Sequence, residues 1–239
     1  MSTPSPVVFL LDVDNTLIDD DRFLVDLKGF LDRAVGPEHQ ERYLAIFEEL
    51  HEEVGFPDHL NTLQRFRLEY PFEPEILAVS SFLVDYPFAN RLYPTALDVI
   101  IHLRRWGPTV VFADGDVVFQ PRRIERAGLR DVVDGVLIYV HKELELDDVE
   151  KRFPAERYVV IDDKLRLLAA VKMQWGKRVT TVFPRQGRHG RDVKALASYE
   201  PADLSINRIG DLLDYDLPRI LNANRPRTPE PPSPPRLPH

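Results

Sequence analysis

Asp12 and Asp14 are separated by a single residue at the end of an apolar run, in VFLLDVDNTL. Side chains two apart on an extended strand face the same way, and the turn just past a strand lets both converge on one site. One carboxylate of such a pair can attack phosphorus and form an aspartyl-phosphate. The other can protonate the leaving oxygen and later activate water. A hard cation such as Mg²⁺ requires oxygen ligands and neutralises phosphate charge, so it fits beside them. The structural alternative is a polar strand end with Asp-Asn turn chemistry, which a bare D-x-D satisfies equally well.

Further groups of the same kind end later apolar runs. Lys142 follows one in YVHKE, where its ammonium is the point charge that phosphate chemistry needs. Asp162 and Asp163 follow another in YVVIDDK. Two adjacent carboxylates repel unless a cation lies between or beside them. The run TVVFADGD ends in Ala113, Asp114 and Gly115.

The elements that position these residues are short and regular. Apolar, β-branched runs occupy residues 7–11, 109–112, 136–140, 158–161 and 179–183. Continuous rather than alternating apolar runs suit strands buried on both faces of a parallel sheet. Helical spacing fills the gaps: Leu97, Ile100, Ile101 and Leu103 within residues 94–106, then residues 122–127, then residues 165–175. Strands alternating with helices predict an α/β fold. Residues 21–90 break the alternation. They contain no convincing strand, their apolar residues recur at helical spacing, and prolines stand at the connections, which predicts an all-helical insertion. The sequence therefore divides into a flexible N-terminal tail at 1–6, a core at 7–20 and 91–221, the helical insertion at 21–90, and a Pro-rich tail at 222–239.

Taken together, these motifs resemble those of the haloacid dehalogenase superfamily. VFLLDVDNTL is similar to its first motif, an apolar strand followed by D-x-D-x-T. The resemblance implies a Rossmann-like parallel sheet with strand order 5-4-1-2-3 and a helical cap between the first and second motifs. It implies that Asp12 is the nucleophile and Asp14 the general acid/base, and that the Asp14 carbonyl also ligates Mg²⁺. Lys142 takes the place of the third-motif lysine. Asp163 is the more direct metal ligand of the fourth motif, with Asp162 supporting it. Ala113, Asp114 and Gly115 fall in the second, substrate-binding motif, and here the pattern departs. Ala113 stands where the family has Ser or Thr, and losing one transition-state donor costs roughly 10²–10³ in rate. Backbone N–H groups of this turn, or a neighbouring side chain, are the candidate substitutes. Arg166 and Leu167 stand where a further Asp is usual, which leaves Asp114 or water to complete the metal shell.

The family's hydrolytic dehalogenases lack the second Asp of the first motif, because a halide needs no proton to leave. Asp14 therefore favours a Mg²⁺-dependent phosphatase of a small phosphomonoester. The alternative is a catalytically weak or inactive binding or scaffold protein of the same fold, suggested by Ala113, by Arg166 and Leu167, and by the Pro-rich tail. Composition narrows the classes. The 239 residues carry a formal net charge of −8, which argues against a nucleic-acid groove. There are no cysteines, so disulfides and thiolate metal sites are excluded. No apolar run approaches the ~18 residues that span a bilayer. MSTPSP has neither a basic n-region nor an apolar h-region, so the expected location is the cytoplasm. Arg104 with Arg105, Arg122 with Arg123, and the arginines of residues 185–191 are local basic spots, expected on solvated surface.

Overall fold

The computed structural model describes residues 4–223. Six parallel strands form one sheet in the order β3-β2-β1-β4-β5-β6. They are β1 (Ser5–Leu11), β2 (Thr109–Asp114), β3 (Gly135–Tyr139), β4 (Ala155–Ile161), β5 (Val179–Pro184) and β6 (Leu204–Ile206). The expected order 5-4-1-2-3 is present, extended at one edge by β6. Three residues are too few to produce an apolar run, which is why the sequence does not announce this strand. β1 begins at Ser5, which pairs with Ala155, so Ser5 and Pro6 belong to the sheet rather than to the expected tail. The Pro-rich tail expected at 222–239 lies outside the described residues from position 224 onward.

The continuous apolar run of β1 has a direct explanation. Val7, Phe9 and Leu11 pack into a cluster on one face of the sheet, while Val8 and Leu10 pack into a second cluster on the other. Both faces are buried, so period-two alternation has no polar half. β1 lies between β2 and β4, with Leu11 level with Val111 on one side and Ile161 on the other. This register brings the carboxyl ends of the three central strands to the same edge, where open α/β sheets bind ligands.

Between β1 and β2 the chain is helical: α1 (Asp20–Val54), α2 (His59–Glu69), α3 (Ile76–Asp85) and α4 (Ala96–Arg104). α1 is kinked at Gly36, whose φ of 80° and ψ of 166° interrupt the helix just before Pro37. The remaining helices are α5 (Phe119–Arg126), α6 (Leu146–Arg152), α7 (Leu165–Trp175), α8 (Val193–Ser198) and α9 (Leu217–Leu221). Buried residues of α1 to α3, including Phe23, Leu31, Tyr43, Phe66 and Leu83, belong to the same cluster as Phe9 and Leu11. Among the described residues, no helix is long and apolar enough to cross a membrane.

Candidate active site

β1 ends at Leu11 and hands the chain to Asp12, whose N–H donates to the Ile161 carbonyl at 3.0 Å. The following turn is built around Asn15, which adopts the left-handed φ of 58° that Asn tolerates better than most residues. Asn15 Oδ1 accepts from the N–H groups of Asp20 and Asp21 and so caps the start of α1. Thr16 Oγ1 accepts from the Asp163 N–H at 3.2 Å, tying this turn to the end of β4. Gln186 closes it from the β5 side. Its Nε2 donates to the carbonyls of Asn15 and Thr16, and its Oε1 accepts from the Ile209 N–H.

Asp12, Asp162 and Asp163 are all buried, and their oxygens lie within 4.8 Å of one another. Lys142 is fully buried among them. Its Nζ is 2.5 Å from Asp12 Oδ1, 2.7 Å from Asp162 Oδ2 and 2.9 Å from the Phe112 carbonyl, to which it donates. Burial alone would lower this ammonium. Asp12, Asp162 and Asp114 outweigh it and hold Lys142 well above the ordinary lysine range, so it is charged. Burial pushes Asp163 well above the usual carboxylate range, and the charges of Asp12 and Asp162 add to the effect. Asp162 is raised for the same reasons, burial first and Asp12 next.

One ammonium among three carboxylates leaves an excess of negative charge in a buried space. Asp12 Oδ2 and both oxygens of Asp163 have no hydrogen-bond partner. Unsatisfied buried carboxylate oxygens are costly, and a hard divalent cation satisfies them. The donor set, oxygens only, fits a metal of the Mg²⁺ class. Asp162 is committed elsewhere: its Oδ1 accepts from the Lys164 N–H and its Oδ2 meets Lys142.

The structure does not bring every predicted residue into this cluster. The Asp14 carboxylate lies outside it, in an ion pair with Arg123 at 2.9 Å, and lines the adjoining cleft. Burial pushes Asp14 up to about 6, against the pull of Arg123. Asp114 also stands apart, with its Oδ1 accepting from the Lys142 N–H at 2.8 Å. Ala113 is buried in β2 and offers no hydroxyl. Three N–H groups after it are already engaged. The Gly115 N–H donates to the Tyr139 carbonyl, and those of Val118 and Phe119 donate to Asp116 Oδ1. Lys164 also lines the cleft, with its Nζ 3.9 Å from Asp114 Oδ2. Arg166 pairs with Glu143 at 2.8 Å, and Leu167 is buried in the core, so neither supplies the absent distal carboxylate.

The cleft encloses about 310 Å³. Asp14, Asp114 and Lys164 line it from the sheet edge, while His51, Gly55 and Pro57 line it from the end of α1 and the turn beyond. Arg188 is exposed, as expected, and borders this cleft. Arg123 departs from that expectation. It is 1% exposed, because it lies on the inner face of α5 with Phe119, Gln120 and Ile124. Those four residues share one helical face, but only Phe119 and Ile124 on it are apolar, too weak a pattern to mark Arg123 as buried from sequence. Gln186 and Thr16 carry no signal either, since their roles arise from contacts between distant segments.

No family profile matches the chain, and no curated protein does. A solved structure of a haloacid dehalogenase-like hydrolase from Burkholderia xenovorans LB400 is 55% identical to it. The match covers 89% of this chain and 100% of that one, with a TM-score of 0.86. The chain belongs to the haloacid dehalogenase-like hydrolase family. More distant structures share the fold. The Bacillus subtilis HAD-hydrolase YfnB, solved bound to magnesium, is 15% identical over 89% of this chain and 98% of its own, with a TM-score of 0.60. The L-2-haloacid dehalogenase of Xanthobacter autotrophicus, solved with chloropropionic acid covalently bound, is 16% identical over 88% and 97%, with a TM-score of 0.56.

Proposed function

We propose that the protein is a Mg²⁺-dependent phosphatase of a small phosphomonoester, working through an aspartyl-phosphate on Asp12. The observation that carries this reading is the buried Asp12–Lys142–Asp162–Asp163 cluster, with free oxygens on Asp12 and Asp163, close in the chain to Asp14 and Lys164, which line a cleft. Asp12 and Asp163 offer the oxygens that would hold Mg²⁺, which supplies charge neutralisation at the phosphoryl oxygens when bound.

The chain's own residues perform the steps. Lys142 holds Asp12 through Oδ1 and orients its carboxylate for attack on phosphorus. As the ester P–O bond breaks, Asp14 gives its proton to the departing oxygen, so a neutral alcohol leaves. Asp14 then takes a proton from water as that water attacks the aspartyl-phosphate, releasing phosphate and restoring Asp12. Among dehalogenases of the fold the leaving halide needs no proton. A carboxylate in the cleft at Asp14 is therefore what favours phosphate esters.

A second reading, a weakly catalytic binding protein, rests on Ala113 and on the N–H groups of Gly115, Val118 and Phe119 being already engaged. Beryllofluoride trapping decides between them. Beryllofluoride mimics the aspartyl-phosphate, so wild-type protein with Mg²⁺ is expected to retain it and Asp12→Asn to retain none. No retention by the wild type favours the second reading.

A further inference from the structure

A guanidinium as deeply buried as that of Arg123 needs carboxylate partners. It has two, on separate segments. Its Nη2 lies 2.9 Å from Asp14 Oδ1 and 2.8 Å from Asp20 Oδ1. Asp20 is the first residue of α1, and its N–H is held by Asn15 Oδ1. The guanidinium itself is boxed in by aromatic rings, 4.8 Å from the Phe88 centroid, 5.3 Å from Phe119 and 5.4 Å from Phe23. Such rings attract a cation and restrict its orientation. Gln120, on the same helix, places its Nε2 3.4 Å from Asp14 Oδ2. The Asp14 side chain is thus bracketed, with Arg123 at one oxygen and Gln120 at the other.

We infer that Arg123 is a positioning residue, which holds the Asp14 carboxyl at the cleft wall in the place from which a proton reaches the leaving oxygen, and which anchors it to the first residue of α1. This role rests on the phosphatase reading. The step it serves is a transfer from the Asp14 carboxyl to the ester oxygen. The electron pair of the breaking P–O bond stays on that oxygen, and Asp14 becomes a carboxylate facing Arg123. Without Arg123, Asp14 is free to occupy other rotamers and the transfer loses its geometry.

The test compares two esters that differ in their need for a proton. p-Nitrophenolate leaves readily as an anion, whereas phenolate leaves far better when protonated. Phosphate release from p-nitrophenyl phosphate and phenyl phosphate is measured with Mg²⁺ for the wild type, Arg123→Met and Arg123→Lys. In Arg123→Met, kcat for phenyl phosphate is expected to fall by about 100-fold, the scale of general acid catalysis, with KM little changed. p-Nitrophenyl phosphate is expected to lose far less. Arg123→Lys keeps the buried charge and shows the same bias at smaller size, and it decides alone if the Met variant does not fold. Equal losses on the two esters, or no loss on either, overturn the positioning role while leaving the phosphatase reading intact. A wild type that hydrolyses neither ester overturns the phosphatase reading, and this role with it.

Discussion

Lys142 contacts Asp12, Asp162 and the Phe112 carbonyl with no exposed surface. Replacing it by Met leaves two carboxylates without their counter-charge, and removing one partner of a buried ion pair costs about 3–5 kcal/mol. Urea unfolding of Lys142→Met in metal-free buffer is expected to show that loss. Asp163 is expected to respond in the opposite sense. Its oxygens repel those of Asp12 and Asp162 and have no partner of their own. In metal-free buffer Asp163→Asn should therefore raise the melting temperature, and Mg²⁺ should then fail to raise it further as it does for the wild type. A variant less stable than the wild type without metal, or equally stabilised by Mg²⁺, would contradict the cation site. At this scale, legibility followed position in the chain. Asp12, Lys142, Asp162 and Asp163 each follow an apolar run, so the sequence alone placed them at strand ends. Arg123 lies inside a helix beside Arg122, and two adjacent arginines read as surface, because the face Arg123 shares with Phe119 and Ile124 has too few apolar residues to mark it.

α1 shows how local chemistry sets an element. Its two apolar stretches are separated at Gly36 and Pro37, and the kink places them on different lines. The Gly36 backbone, with φ at 80° and ψ at 166°, occupies a region nearly confined to glycine. Space is not limiting, because a Cβ added there meets nothing within 4 Å. Gly36→Ala therefore carries a backbone cost alone, about 1–3 kcal/mol, which a thermal melt should register without loss of the folded signal. The strands were readable because both faces of the sheet are covered, which turns each central strand into an unbroken apolar run. β6 was not, because an edge strand of Leu204, Ser205 and Ile206 offers too little pattern to separate it from loop.

Across the whole molecule, one aromatic cluster joins the helices inserted after β1 to the sheet domain. His59 at the start of α2 stacks on Phe47 at 4.7 Å and meets Phe119 of α5 edge-on at 4.9 Å. Burial holds His59 down to about 3, so it is neutral in the folded protein. The unfolded chain binds a proton there below about 6.5, the ordinary histidine value. The stability this site contributes is complete above that pH and is lost as pH falls towards 3, at up to about 1.4 kcal/mol per pH unit. His59→Phe keeps an aromatic ring and cannot titrate. The stability difference between wild type and variant is expected to be flat above that pH and to shift towards the variant below it. A difference that does not change with pH would show that His59 is not buried as a neutral ring. No sequence pattern gives this, because a lone histidine at a helix start looks the same whether buried or exposed.

A release assay run on two substrate classes with the same purified protein and Mg²⁺ tests the phosphatase reading most directly. Phosphate release from small phosphomonoesters is expected from the wild type and not from Asp12→Asn, with no chloride release from 2-chloropropionate. Chloride release without phosphate release, or phosphate release that survives Asp12→Asn, would contradict that reading.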